Sequence, residues 1–517
     1  MQNSDQDTVL LPKIRFPDLD EGDDAPRDAW SETDYGAETH RGRVRALTTI
    51  AWLLPALAMA ALGMVRLTWS SLSADELGYW AFVTTPWDDA LGLLGELDSG
   101  TVPYHVALKA YAELAGSSDL ALRAPSLLFM ALAAGLVAGL GARLTRPRTG
   151  FTAGILFVIV PGVTRFGQEI GPTAAAMCLT ALSTLLLVVV LDRGTGRRYT
   201  GYAVTVLLLG LTLPVALLVL VGHGFAVLMM RRGALLGWLL ATVLGVLPAL
   251  GSVVYFGLPT VRIGLDTSTT LLDVTTVAGA LFGTALVAGA LVGLGLISVS
   301  FRKPSVIYSC WSVIPVVLLY ALSRIGLSWE APALAFTLGG WALLGAQALH
   351  QAPAVRGVTA GLILAAFCVP SQIEVRQRDG HGLASAELGA IIKGQALQGD
   401  VAVYGPGPKS GAVGRDVVAR YVPAEIRPAD VLALTPPRTG GRIVVDECAE
   451  VEACLNGALR VWLIRADRAE SPLTGLPAAK ANPLGDLYDV DRTWYLSGLM
   501  LVRLTLKPAG PDQVRVG

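Results

Sequence analysis

Charge is scarce in this chain. Only 16% of its 517 residues are Asp, Glu, Lys or Arg, while 53% are hydrophobic and mean hydropathy is +0.55. That balance excludes an ordinary soluble protein and points to many membrane spans. A net charge of −1 leaves no general pull toward nucleic acid. Cysteine is also rare, with five residues in all. Cys178, Cys310 and Cys368 sit in apolar runs and read as inert packing residues. Cys448 and Cys454 lie close together in a polar region but lack the His/Cys companions of a zinc site. A local disulfide is the better reading if that region faces an oxidising compartment. No cleavable signal peptide is evident, because the N-terminus is polar and the first apolar run starts only near Thr48. Gly405-Pro406-Gly407-Pro408 reads as a turn, since it lacks the Gly-Lys-Ser/Thr ending of a phosphate loop.

What is present is unevenly placed. Residues 1–40 carry 11 Asp/Glu against Lys13, Arg15 and Arg27, so residues 1–44 read as a disordered acidic tail. Apolar runs then follow, bracketed by charge. They lie near Leu47–Leu67, Leu122–Leu144, Phe151–Val163, Thr173–Leu191, 201–230, Ala234–Phe256, Val277–Val299, Val306–Leu322, Ala333–Leu349 and Gly357–Pro370. Pro214 divides the block 201–230, and two short spans bent back on each other fit the flanking arginines better than one long helix. The basic clusters Arg41–Arg45, Arg143–Arg148, Arg193–Arg198, Arg231-Arg232, Arg302-Lys303 and Arg356 all fall on one side if there are about eleven spans, N-terminus in and C-terminus out. On that topology a domain of residues 45–370 spans the membrane, its first external loop is 68–121, and residues 371–517 form an extracytoplasmic α/β domain. Strand-like runs there are Val401–Tyr404, Arg442–Val445 and Arg460–Ile464; Ala384–Gln395 and Gly414–Tyr421 look helical.

The first external loop is long and patterned. Ser73, Asp75 and Glu76 precede the aromatics Tyr79, Trp80 and Phe82; Asp98 follows, and Val102–Leu114 is amphipathic at helical spacing. Two carboxylates at the mouth of a membrane-embedded chain are costly to desolvate and need water, a partner or a role. The order is an apolar span, Asp75-Glu76, a helix opening Val102-Pro103-Tyr104-His105, then Ser118-Asp119-Leu120-Ala121-Leu122-Arg123-Ala124-Pro125-Ser126 and a second span. Thr164-Arg165-Phe166-Gly167-Gln168-Glu169 and Pro172 close the third span.

This layout resembles the GT-C superfamily of polyprenyl-phosphate-sugar-dependent glycosyltransferases. Within it, the likeness is to the bacterial family 39 (protein-mannosyltransferase-like) and aminoarabinose-transferase-like group, in an actinobacterial style. The sequence departs from that pattern at Thr101, at Gly171 and Thr173, and at Trp329-Glu330. The resemblance implies a polytopic α-helical membrane fold with surface helices in the first loop. It also implies transfer of a monosaccharide, mannose or an arabinofuranose, from a polyprenyl-phosphate donor to a cell-envelope glycan, lipid or protein.

That chemistry needs a base for the acceptor hydroxyl, a cation for the departing phosphate and a lipid-facing slot. The resemblance gives the base role to Asp75, with inversion at the anomeric carbon, and leaves Glu76 to orient the acceptor or tune its neighbour. The plainer alternative is that Asp75 merely caps an interfacial helix, with Ser73 beside it and Glu76 in its first turn. Arg123, Arg165 and Arg324 are candidates for the donor phosphate. Against this, Arg123 and Arg324 could be snorkelling anchors and Arg165 could pair with Glu169 at i, i+4. Asp98, Tyr104, His105, Gln168 and Glu169 are candidates for acceptor or sugar contact. One carboxylate such as Asp98 does not make a metal site, so no cofactor is fixed and a divalent cation is the one candidate. The competing readings are a catalytically degenerate scaffold, favoured by the changes at Gly171 and Thr173, and a transporter. A transporter would show paired broken helices in matching halves, and the sequence has one clear break, at Pro214.

Overall fold

The computed structural model describes residues 49–256, 271–300, 305–324, 326–405, 412–467 and 469–508. The acidic tail and most of the loop Gly257–Asp273 lie outside the described residues. Each charge-bracketed apolar run is helical. After α1 (Thr49–Met64) come three loop helices, α2 (Ala74–Thr84), α3 (Trp87–Gly92) and α4 (Val102–Ala115). The apolar helices continue as α5 (Asp119–Leu144), α6 (Pro147–Ile159), α7 (Pro161–Gln168), α8 (Thr173–Asp192), α9 (Gly196–Thr212), α10 (Val219–Met230) and α11 (Leu235–Tyr255). They end with α12 (Leu271–Phe282), α13 (Ala285–Ser298), α14 (Val306–Ser323), α15 (Ala331–Leu334), α16 (Leu338–Gln351) and α17 (Ala354–Glu374). Among the described residues, 6 helices are long and apolar enough to cross a membrane, or up to 8 if each bent pair is one span. Two shorter apolar helices, Thr49–Met64 and Pro214–Met230, accompany them. This is a multi-pass membrane domain, and length alone does not fix its crossings at the expected eleven.

Two breaks nest against each other. The α6–α7 pair bends by 66° and the α12–α13 pair by 88°. Pro161 has no N–H and opens α7, so the ladder stops there. Gln372 of α17 satisfies the end of α6, donating from Nε2 to the Ile159 carbonyl at 2.9 Å. Gly283 has φ +98, and a Cβ there would sit 2.5 Å from Pro161. A Cβ on Gly162 would run into the carbonyl oxygen of Leu281. Elsewhere a buried chain of polar groups clasps α8 to α11: Trp238 Nε1 donates to Tyr202 Oη at 2.9 Å, Tyr202 Oη lies 3.0 Å from His223 Nδ1, and His223 Nε2 lies 3.1 Å from Thr184 Oγ1. Every ring nitrogen is matched, which makes His223 a packing residue.

The C-terminal region forms a mixed sheet of β1 (Val401–Tyr404), β2 (Ala429–Asp430), β3 (Arg460–Arg465), β4 (Tyr488–Leu496) and β5 (Leu499–Leu506), in the order β2-β1-β3-β5-β4. The β1–β2 and β1–β3 pairs are parallel; β3–β5 and the β4–β5 hairpin are antiparallel. Helices α18 (Ser385–Gln395) and α19 (Ala412–Tyr421) appear where helices were expected. Arg442–Val445, expected to be a strand, joins no strand. Ile443 packs instead beside Phe82, Ala90 and Leu93 of the first loop, and Arg442 pairs with Asp446 at 2.7 Å. One sheet face, with Trp462, Ile464 and Leu501, shares a continuous core with Leu72, Leu77, Leu108 and Leu122. The other is covered by α20 (Val451–Leu455) and α21 (Ala478–Leu487), beside a Cys448–Cys454 disulfide.

The nested breaks make a test. Gly162→Val should cost about 1–3 kcal/mol by forcing a side chain onto backbone. Gly289→Ala, where no atom lies within 4 Å, should be neutral or slightly stabilising. Thermal midpoints in detergent read both, and equal midpoints would refute the close approach.

Candidate active site

The sequence Ser73-Ala74-Asp75-Glu76 folds into a capping box at the start of α2. Ser73 Oγ accepts from Glu76 N at 3.3 Å, and Glu76 Oε2 accepts from Ser73 N at 3.0 Å. The box sends the two adjacent acids in different directions. Glu76 turns inward and is 1% exposed. Its Oε1 accepts from Arg123 Nε at 2.8 Å and from Ile170 N at 3.1 Å; its Oε2 accepts from Arg123 Nη2 at 2.9 Å and from His381 Nδ1 at 3.0 Å. Arg123 Nη1 donates to the carbonyls of Leu67 at 2.7 Å and Ser70 at 3.1 Å. Burial by itself would raise the Glu76 carboxyl; Arg123 and then His381 override it and hold the group at about 2.

Asp75 turns outward, exposed, into a cavity of about 770 Å³. Asp98, His105, Glu169 and Glu330 line the same space, with Tyr79 between Asp75 and His105. The opposite wall is apolar and comes from the α9–α10 connection and α11, with Leu213, Pro214, Leu217, Val221, Val246 and Leu250. The C-terminal domain adds Val413, Asp416, Arg438 and Ile443. His105 is fixed by an Nδ1 contact to the Thr101 carbonyl at 2.9 Å and by stacking on Tyr79 at 4.4 Å. Burial first, then Tyr104, Asp75 and Asp98, push the Tyr79 phenol well above its ordinary range, so it stays a donor. Glu330 lines the cavity beside Leu327, Pro332 and Ala333; burial, then Asp75 and Asp98, raise its carboxyl. Among the described residues no three His, Cys, Asp or Glu side chains converge to hold a metal ion.

The sequence profile of the dolichyl-phosphate-mannose-protein mannosyltransferases matches residues 102–256. Two solved structures of ArnT from Cupriavidus metallidurans share the fold along nearly their whole length. The apo form has a TM-score of 0.57 at 10% identity, covering 87% of this chain and 97% of that one. The form bound to undecaprenyl phosphate has 0.56 at 12%, covering 88% and 98%. The chain therefore has the ArnT-like GT-C fold. No curated protein matches it in a sequence search.

Within this GT-C fold the residues singled out from the sequence divide. Asp75, Asp98, His105 and Glu169 share the cavity; Asp98 Oδ1 also accepts from Gly100 N at 3.1 Å. Glu76 does not reach it, because both its oxygens are committed to the buried knot, so it cannot orient an acceptor. Arg123 is fully buried on Glu76 and is not placed to meet a phosphate. Gln168 is buried too, and donates to the Gly63 and Val65 carbonyls at 2.8 and 3.0 Å, tying α7 to the end of α1. Tyr104 stands edge-on to Tyr79 at 5.8 Å, outside the lining. Arg165 pairs with Glu169 at 2.9 Å, and Arg324 is exposed past the end of α14; neither lines the cavity. The site residues that sequence reading left out are Tyr79, Glu330, Asp416, Arg438 and, behind the wall, His381. Tyr79 carries a usable signal, one turn after Asp75 on the same helix face. The last three have no local motif.

The knot predicts an acid-labile fold. A carboxyl held at about 2, against 4.5 ordinarily, contributes stability that is complete above about 4.5 and is lost as pH falls toward 2. Glu76→Gln should flatten this acid limb in thermal unfolding curves. Arg123→Ala, which strands the buried carboxylate, should cost about 3–5 kcal/mol. An unchanged acid limb in Glu76→Gln would count against the knot.

Proposed function

We propose that this GT-C protein is an integral-membrane, inverting glycosyltransferase that moves a monosaccharide from a polyprenyl-phosphate donor to a hydroxyl of a cell-envelope glycan, lipid or protein. The sugar is mannose or an arabinofuranose-like pentose, and the site works on the extracytoplasmic face. The observation that carries this reading is Asp75: its carboxylate is exposed and faces a cavity walled on one side by membrane helices, while its neighbour Glu76 is buried in hydrogen bonds. The ArnT relative with undecaprenyl phosphate supports the lipid-phosphate class of donor.

In the proposed reaction Asp75 takes the proton of the acceptor hydroxyl as its oxygen attacks the anomeric carbon. The bond from that carbon to the donor phosphate oxygen breaks on the opposite side, and polyprenyl phosphate leaves with the electron pair. Tyr79 and His105 hold the acceptor or sugar beside Asp75, while Asp98 and Glu169 bind sugar hydroxyls. The apolar wall from α10 and α11 takes the first prenyl units, continuous with exposed Leu240, Leu244 and Leu247 on α11. Arg165 and Arg324 remain phosphate candidates that a side-chain movement would bring to the cavity. The excess of acid along the wall favours one alternative, a GT-C-like scaffold that binds but does not transfer.

One assay separates these. Wild type and Asp75→Asn are compared for transfer from short-chain polyprenyl-phosphate sugars. Asp75→Asn should lose about 100- to 10,000-fold in turnover. No transfer by wild type from any such donor would leave the scaffold reading; an Asp75→Asn as active as wild type would remove Asp75 from the base role.

A further inference from the structure

The acids and cations around the cavity do not balance. Asp75, Asp98, Glu169, Glu330 and Asp416 line it, and among the described residues Arg438 is the one lining cation. Arg165 offsets Glu169 from behind the wall, at 2.9 Å. A phosphate entering this space meets an excess of negative charge, and the lining cation available to meet it is Arg438.

The segment that carries Arg438 is built to stay there. Pro436–Ile443 of the C-terminal domain straps across the first loop. Gly441 (φ +75) meets Gly92 backbone to backbone, so closely that a Cβ on Gly92 would lie 3.0 Å from the Gly441 Cα. Ile443 plugs into the Phe82, Ala90 and Leu93 cluster. Arg438 itself adopts φ 60, a left-handed conformation rare for a side-chain-bearing residue. Its guanidinium forks onto Asp416, Nη1 to Oδ1 at 2.5 Å and Nη2 to Oδ2 at 2.6 Å. A guanidinium has five N–H donors, so this fork aims the group and leaves donors over for a second oxyanion.

We propose that Arg438, aimed by Asp416, is a phosphate-binding residue of this cavity, and that the C-terminal domain thereby contributes to the donor site. The inference rests on the glycosyltransferase reading. Its ligand is a phosphate oxyanion, whether lipid-linked or free. Arg438 binds and Asp416 positions it. The strap also explains why the C-terminal domain shares a core with the first loop: a cation on a separately hinged domain could not hold a phosphate at a fixed place relative to Asp75.

The test measures binding of a short-chain polyprenyl monophosphate, and separately of inorganic phosphate, to the full-length protein and its variants. Thermal midpoints are recorded alongside. Arg438→Gln should weaken lipid-phosphate binding at least tenfold, raise the donor KM and lower kcat as the leaving phosphate loses its cation, and lower the midpoint because the buried Asp416 loses its guanidinium partner. Arg438→Lys should recover part of the binding. Asp416→Asn should bind as tightly as wild type or tighter, since the amide oxygen still accepts from the guanidinium and keeps its aim while the competing negative charge is gone; a purely structural strut would instead be weakened as much by Asp416→Asn as by Arg438→Gln, which would overturn the proposal. Should Arg438→Gln fail to fold, the sign of the Asp416→Asn effect decides alone. Inorganic phosphate bound by wild type and not by Arg438→Gln assigns the contact to the phosphate group; bound equally by both, it contradicts the assignment. If neither binds it, the lipid-linked source is the ligand, provided the lipid arm shows the loss. Wild type that binds no lipid phosphate overturns this inference together with the reading it rests on. Wild type that transfers sugar with a donor KM unaltered by Arg438→Gln overturns this inference alone.

Discussion

The buried carboxylate of Glu76 is the point on which the rest of the site depends. It gathers the start of α2, Arg123 of α5, the backbone after α7 at Ile170, and His381 from the segment that leads into the C-terminal domain. Through Arg123 it also reaches the carbonyls of Leu67 and Ser70 at the end of the first apolar helix. Four separate stretches of chain are thus referred to one anion. Such a group is tolerated inside protein only when every lone pair is used, and here each oxygen is. The neighbouring contacts extend the clamp: Ser71 N donates to the Arg378 carbonyl at 2.8 Å, Ser385 Oγ to the Leu72 carbonyl at 3.0 Å, and Leu72 N to Tyr421 Oη at 2.9 Å. Lys109 caps the end of α2, donating to the Val83 and Thr85 carbonyls at 3.0 and 2.5 Å.

With Glu76 committed to structure, Asp75 is the member of the pair that faces the cavity. Helix geometry turns successive side chains by about 100°, so a fixed Glu76 dictates where Asp75 points. The cavity it enters is deliberately mixed: apolar helices on one side, carboxylates and aromatics on the other, and the strap with Arg438 from the C-terminal domain. On the proposed function, a lipid tail, a sugar and a phosphate each have a compatible wall in that arrangement.

Sequence carried much of this. Hydropathy and charge located each helical run and the break at Pro214, because backbone groups in lipid must be satisfied within helices and the positions of charge limit their ends. The bends at Pro161 and Gly283 escaped, since what forces them is the contact between two distant breaks. The Asp75-Glu76 pair stands out in the sequence, but the cap expected at Asp75 is made by Ser73, with both acids in the first turn. That Glu76 alone takes the structural part depends on Arg123 and His381, which lie far off in sequence. For the same reason Gln168 and Arg123 looked like ligands: from sequence, a polar residue at a helix end is the same whether it meets substrate or a stranded carbonyl. Arg442–Val445 has strand composition, yet Ile443 finds a better apolar home in the first loop. Asp416 and Arg438 had no signature, because only the packing of the C-terminal domain brings them to the cavity.

The division of labour between the two adjacent acids is the centre of the account, and thermal midpoints of Asp75→Asn and Glu76→Gln, measured side by side in one detergent at neutral pH, test it most directly. The account predicts that Asp75→Asn keeps or raises the midpoint, because it removes one charge from an acid-rich cavity, while Glu76→Gln lowers it by several degrees. A fall in Asp75→Asn as large as that in Glu76→Gln would contradict it.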